Sequence, residues 1–148
     1  MKNKLSWGFT ALALIGAVLS SGCRTSAGSS GFASAMIAGH SAEEVRQTTA
    51  AVFREDNYML RSANGPQLVF ERNGTTMGRA AYGSYGNDVV ERVRVQTVVF
   101  SPESVRLQCQ ASVVRHAGDR VLEEEQFLAE VRSGPYQKLM DETARRLK

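Results

Sequence analysis

The clearest pattern in the chain is an alternation of apolar and polar residues in its second half. One side of residues 89–100 carries Val93, Val95, Thr97 and Val99, and the other carries Arg92, Arg94 and Gln96. Residues 105–115 repeat the pattern, with Val105, Leu107, Cys109, Ala111 and Val113 at the apolar positions. A period of two is typical of strands that bury one face. The two segments are therefore predicted to pair across the turn at 101–104, with one covered face and one polar face.

Two helices are predicted, one on each side of these strands. Ser41 and Glu44 have the spacing of a capping box, and the apolar spacing after them predicts a helix to about Asn57. Ser133 and Pro135 are typical of a helix start. An apolar stripe follows in that second helix, formed by Tyr136, Leu139, Met140, Thr143, Ala144 and Leu147.

Shorter strands complete the predicted fold. They are expected at residues 58–62 and 67–72, weakly at 75–88, and at 120–131, where three consecutive glutamates favour an edge strand. The fold class is therefore α+β: a two-layer sandwich in which an antiparallel sheet of four to six strands carries an N-terminal and a C-terminal helix on one face. This domain is predicted to span residues 41–148.

The N-terminus has a different character. Lys2 and Lys4 precede an apolar run from Leu5 to Leu19, and small residues lead to Cys23. Fifteen helical residues rise only about 22 Å, too short for a stable membrane span of about 30 Å, so residues 1–22 are predicted to be a signal peptide. The alternative for Cys23 is a free thiol after an ordinary signal peptide cleaved nearby.

Gly22 and Cys23 at the end of this run resemble the lipobox of bacterial lipoproteins, although Ser20 stands where the family usually has an aliphatic residue. The resemblance implies that Cys23 carries the lipid and anchors the protein in a membrane. Arg24 rather than Asp after the cysteine implies the outer membrane, with the domain facing the periplasm. Residues 23–40 are then the lipidated cysteine and a flexible Ser/Gly/Ala-rich tether. Alternatively, Phe32, Met36 and Ile37 dock onto the domain or form a short helix.

Charge and composition exclude several classes of function. The chain has 18 basic and 15 acidic residues, and without Lys2 and Lys4 the net charge is only +1, so no nucleic-acid partner is expected. With Cys23 acylated, Cys109 has no disulfide partner and is expected to be a buried small hydrophobe rather than a reactive thiol. One thiol and the distant His40 and His116 do not form a zinc site, and no metal or cofactor is expected.

No catalytic set is evident. His40 and His116 are expected to be surface histidines, because neither has the sequence context of a nucleophile–base pair. The run Glu123–Glu125 is interpreted as a solvated edge rather than a pair of catalytic acids. The protein is therefore expected not to be an enzyme.

Two surfaces are candidates for contact with a partner or ligand. The first is the Gly-rich stretch containing Tyr82 and Tyr85, interpreted either as a bulged strand or as a contact loop. The second is the polar sheet face with Arg92, Arg94 and Arg106, interpreted either as a solvated face or as a docking surface for acidic protein or lipid headgroups.

The order of helix, strand, Asn64-Gly65-Pro66 turn, strand, long hairpin and final helix resembles the helix-grip domains of the outer-membrane β-barrel assembly lipoprotein. It also resembles the two-layer lipoprotein that plugs the lipopolysaccharide-export barrel. These resemblances imply a non-enzymatic accessory or assembly module that binds another envelope protein. The alternative is a periplasmic module that binds a lipid or a small amphiphile in a cleft between helices and sheet.

Overall fold

A computed structural model describes residues 32–74 and 89–148. The elements are β1 (Ala33–Ala38), α1 (Ala42–Glu55), β2 (Met59–Asn64), β3 (Gln67–Asn73), β4 (Val90–Ser101), β5 (Ser104–Arg115), β6 (Glu124–Phe127), a short 3₁₀ helix (Glu130–Arg132) and α2 (Gly134–Arg146). The strands form one antiparallel sheet in the order β1-β5-β4-β3-β2, and β6 also pairs with β5. The predicted α+β class is confirmed. The weak strand predicted at 75–88 lies outside the described residues.

Helix α1 begins where the capping box predicts. The Ser41 hydroxyl accepts from the Glu44 backbone N–H at 3.2 Å, and the Glu44 carboxylate accepts from the Ser41 N–H at 2.8 Å. The helix ends at Glu55, slightly before the predicted Asn57, because Asn57 has a φ of +64° and turns the chain toward β2.

The hairpin β4–β5 is the centre of the sheet and builds the core as its alternation predicts. Val93, Val95, Leu107 and Ala111 are fully buried on one face. Side chains from both helices meet that same face, because Phe53 of α1 stacks on Phe70 with ring centroids 4.4 Å apart and Tyr136 of α2 bonds to Glu91. Phe70 pairs with Val93, and Glu91 lies two residues before Val93 on β4. We call this the core face and the opposite one the polar face.

The flexible tether predicted for residues 23–40 is wrong for its last part. Residues 33–38 form β1, which pairs with β5 from Ala33–Cys109 to Ala38–Ser104. Phe32 and Ile37 are buried, whereas Met36 on the polar face is half exposed. Docking of this segment was one of the alternatives, and it occurs as a strand rather than a helix because only extended backbone can use the free edge of β5.

The outer edge of β1 is partly covered in turn. The Gln137 side chain of α2 accepts from the Ser34 backbone N–H at 3.1 Å and donates to the Ser34 carbonyl at 2.8 Å. A side-chain amide therefore replaces a neighbouring strand at this point of the edge, which ties β1 to α2.

The last predicted strand, 120–131, is too long. Within it, the strand is formed by Glu124–Phe127, which pair with β5 from Ser112–Phe127 to Arg115–Glu124. Residues before it form a turn in which the Asp119 carboxylate accepts from the backbone N–H groups of Val121 and Leu122. Strand β6 continues the edge of β5 beyond the end of β1, and among the described strands it pairs with β5 alone, as expected for an edge strand.

Candidate functional site

Three of the predicted site residues lie outside the described residues: Cys23, Tyr82 and Tyr85. The described chain stops at Gly74 and resumes at Val89, where the Gly74 N–H donates to the Val89 carbonyl at 2.8 Å. The other three, Arg92, Arg94 and Arg106, all lie on strands β4 and β5.

Arg92 lies on the polar face between two carboxylates. Its Nε donates to Glu71 Oε1 at 2.7 Å, and its two terminal nitrogens donate to Glu123 at 2.7 and 3.3 Å. Glu71 is itself 8% exposed and also accepts from Arg61 Nε at 2.9 Å. The pairing is bidentate on the Glu123 side, the geometry that makes arginine–carboxylate contacts strong and directional.

Arg94 has a carboxylate partner as well. It forms a bidentate pair with Glu125, whose Oε1 also accepts from the Ser112 hydroxyl at 2.5 Å. The hydrogen bonds from Arg94 first, and from Ser112, lower the pKa of Glu125 from its ordinary 4.5 to about 2. Glu123 and Glu125 are therefore not simply a solvated edge, because the turn before β6 and β6 itself bring them against the arginines of β4.

The charges of this region balance within the chain. Arg61, Arg92 and Arg94 alternate in space with Glu71, Glu123 and Glu125. An acidic partner at Arg92 or Arg94 has to compete with carboxylates already held at hydrogen-bond distance. The geometry thus gives Arg92 and Arg94 a structural role within the fold before any contact with a partner.

Arg106 is separate from this network. Its guanidinium lies over the Phe100 ring, 4.8 Å from the centroid, near the turn between β4 and β5. Its strand neighbour on β1 is Met36, and both Met36 and Phe100 are at least half exposed. This end of the polar face therefore combines one cation with exposed apolar side chains.

Between these two regions, glutamines cross the polar face. Gln67, Gln96 and Gln108 are directly opposite one another on β3, β4 and β5, and Gln110 lies two residues further along β5. With Arg94 and Phe127 they line a concavity of about 300 Å³.

A second cavity, of about 330 Å³, lies at the start of α2. Its apolar wall is formed by Val89, Val90, Val113, Leu128 and Pro135. Its polar groups are on Arg72, Glu91, Arg132 and Tyr136. A largely apolar lining with a few polar groups is the usual character of a small-molecule pocket, and this volume is at the lower end of that class.

Glu91, a carboxylate of the core face in the wall of this cavity, accepts hydrogen bonds from three residues. Its Oε1 accepts hydrogen bonds from the hydroxyls of Tyr58 and Tyr136, the latter at 2.5 Å. Arg72 donates to both carboxylate oxygens, at 3.2 and 3.3 Å, while its guanidinium lies 4.3 Å from the Tyr58 ring centroid. The Glu91 side chain is only 13% exposed, so these contacts replace most of its hydration.

The two tyrosines serve as hydrogen-bond donors to Glu91 in this cluster. Burial, and then the Glu91 carboxylate beside them, raises the pKa of both Tyr58 and Tyr136 well above the ordinary tyrosine value of 10. Both hydroxyls therefore keep their protons at neutral pH and donate to Glu91.

The remaining candidate groups are one cysteine and two histidines. Cys109 is buried on the core face, and burial raises the pKa of its thiol to about 12, which disfavours the reactive thiolate. His40 lies 3.7 Å from Glu44, and His116 occupies a turn with a φ of +52°. Within residues 32–74 and 89–148, no group of three or more His, Cys, Asp or Glu side chains is arranged to hold a metal ion.

Comparisons with known proteins identify no relative. No family model matches the chain, and neither curated proteins nor solved structures give a significant match. In the described part of the chain, no helix is long and apolar enough to cross a bilayer.

Sequence reasoning missed the Glu91 cluster, although a signal for it was present. A period of two places Glu91 on the same side of β4 as Val93 and Val95, and Arg72 on the same side of β3 as Phe70. Two charged residues of opposite sign, at paired positions on a buried face, predict an ion pair. The tyrosine hydroxyls that complete the cluster come from distant segments and have no such signal.

The pH dependence of stability tests the Arg94–Glu125 pair. Because the pKa of Glu125 is lowered in the fold, its ionised form stabilises the protein above its unfolded pKa, and that contribution disappears as the pH falls from about 5 toward about 2. We expect Glu125→Gln to be less stable than wild type by about 0.5–1 kcal/mol at pH 7 in urea unfolding, and we expect the difference to be smaller at pH 3 and to disappear only as the pH falls to about 2.

Glu124→Gln is the matched control, because the Glu124 side chain is 72% exposed and its carboxylate is 3.6 Å from Arg115. It should differ from wild type by less than about 0.5 kcal/mol at either pH. A stability deficit of Glu125→Gln that is the same at pH 7 and pH 3 would contradict the pairing.

Proposed function

We propose that this chain is a lipid-anchored protein of the bacterial cell envelope and that its domain is an interaction module. The signal-like N-terminus and Cys23 support the anchor. The observation that supports an interaction module is the chemistry of the polar face. On this sheet surface the charges are paired within the chain, while amide groups point outward.

The position of β1 gives this proposal a geometric consequence. The described residues begin at Phe32, and β1 begins at Ala33, ten residues after Cys23. Ten extended residues span at most about 35 Å. An anchor at Cys23 therefore keeps the domain within about one domain diameter of the membrane, which raises its effective concentration toward partners in the same membrane.

We expect Cys23→Ser to abolish the anchor, because a serine hydroxyl does not accept the thioether-linked lipid. The variant should move from the membrane pellet to the soluble fraction and lose incorporation of labelled palmitate. In cells treated with a crosslinker, an envelope protein that co-purifies with the wild type should be recovered in lower yield with the variant.

Cys109→Ala is the matched control, since Cys109 is the other cysteine of the chain and is buried. It should keep the label and stay in the pellet. Continued pelleting and labelling of Cys23→Ser would refute the anchor, and recovery of the wild type without any crosslinked envelope protein would count against the module.

The cavity beside α2 favours a second function, the binding of a small apolar or amphiphilic molecule. In its wall the Tyr136 hydroxyl already donates to the Glu91 carboxylate, and that carboxylate also accepts from Arg72. Because these groups need no further partner, the cavity suits the apolar part of a ligand, such as one acyl chain.

Filling the cavity tests this second function. Val113 lies in its wall, so Val113→Phe should reduce binding of the fluorescent apolar probe N-phenyl-1-naphthylamine at least about fivefold by occupying the space. Val99→Phe makes the same change at an exposed position near the hairpin turn and should bind like wild type. Equal binding by Val113→Phe, with circular dichroism showing both variants folded, would exclude the cavity as the site.

A further inference from the structure

We propose that the glutamine row of the polar face, formed by Gln67, Gln96, Gln108 and Gln110, binds an uncharged glycan rich in hydroxyl or acetamido groups. The inference deepens the proposed function by naming the class of partner that the polar face takes, and it rests on that function for its biological setting.

The row is a continuous set of amides. Gln67, Gln96 and Gln108 occupy directly paired positions on three adjacent strands, so their Cβ atoms are separated by the usual strand spacing of about 5 Å. The pairing extends to Ser34 on β1, and Gln110 adds a fourth amide one step along β5. All the glutamines point to the polar face, because they lie out of phase with the buried positions of their strands.

The side-chain amides of these glutamines are available to hydrogen-bond with a ligand. None of the four glutamine side chains has a hydrogen-bond partner among residues 32–74 and 89–148, although most of the charged groups near them do. Each amide offers a carbonyl acceptor and an NH₂ donor. A sugar hydroxyl also donates and accepts at one atom, and an acetamido group is itself an amide, so both match this surface.

The adjoining charges favour a neutral ligand. Among the described residues, Arg94 is the one cation that lines the concavity, and it is bonded to Glu125, which also accepts from the Ser112 hydroxyl. An anionic ligand would have to displace Glu125, and a cationic ligand would have to displace Arg94. An uncharged ligand leaves both ion pairs in place and uses only the free amides.

An exposed ring borders the row. Phe127 on β6 is 59% exposed and lines the same concavity as the glutamines. An aromatic face packs well against the C–H face of a pyranose ring, which supplies apolar contact beside the hydrogen bonds. Amides together with one exposed ring are thus complementary to both surfaces of a sugar.

The location of the row argues against an extended peptide as the ligand. Peptides that bind sheets through their backbone add to a free edge, where unpaired N–H and C=O groups are available. The glutamines lie on β3, β4 and β5, all of which have strand neighbours on both sides. Recognition here has to use side chains alone.

The test is calorimetric titration of the purified full chain with chitotetraose and with cellotetraose, which carry hydroxyls with and without acetamido groups. We expect at least one of them to bind, and the double variant Gln96→Leu/Gln108→Leu to weaken that binding at least about tenfold through the loss of two amide contacts. Leucine is close in size to glutamine and tolerated in strands, so the fold should persist.

Gln126→Leu is the matched control, because Gln126 is exposed on β6 and pairs with the core-face residue Val113. It should bind like wild type. The inference is overturned if neither tetrasaccharide binds, or if the double variant binds as well as wild type while circular dichroism shows it folded. It is also overturned if an uncharged peptide displaces the saccharide. If crosslinking recovers an envelope protein but no saccharide binds, the proposal of an interaction module stands and the proposal of a glycan ligand is refuted.

Discussion

The carboxylate of Glu91 occupies the sheet face that packs the hydrophobic core, and the rest of the structure has to accommodate it. A buried carboxylate without partners is strongly destabilising. Here Tyr58 after α1, Arg72 on β3 and Tyr136 on α2 all bond to it. Since each of these partners comes from a different element, the charge on β4 fixes where both helices approach the sheet. Three of the polar residues that line the cavity at the start of α2, namely Arg72, Glu91 and Tyr136, take part in these contacts.

The polar face also contains a buried carboxylate, Glu71, and its charge is paired in a different way. Its arginines and glutamates pair with one another across β3, β4 and the segment around β6, so that Glu71 can be buried without an unpaired charge. The glutamine side chains beside them have no hydrogen-bond partner within residues 32–74 and 89–148. The two faces therefore differ in chemistry: on the polar face ion pairs lie beside exposed amides, whereas the core face carries the Glu91 cluster and the apolar cavity at the start of α2.

The local features of the fold were predictable from sequence and the long-range ones were not. The capping box of Ser41 and Glu44 and the alternation in β4 and β5 act over a few residues, and the three elements that they predict are present. The prediction of a tether was wrong at β1 because an Ala- and Ser-rich segment has few apolar residues that would indicate burial. Its extended form depends on pairing with the edge of β5. The arginines were correctly placed on the polar face, but their carboxylate partners could not be predicted because the pairing of β6 with β5 is a long-range contact.

The measurement that tests the central role of Glu91 is a double-mutant cycle in urea unfolding at pH 7. Tyr136→Phe is expected to lower the free energy of unfolding by about 1.5–3 kcal/mol, because it removes a hydrogen bond to a buried charge, and Glu91→Gln by about 3 kcal/mol or more. In the Glu91→Gln background, Tyr136→Phe should cost at least about 1 kcal/mol less than in the wild type. Costs that add within about 0.5 kcal/mol would show that Tyr136 and Glu91 act independently and would contradict the account.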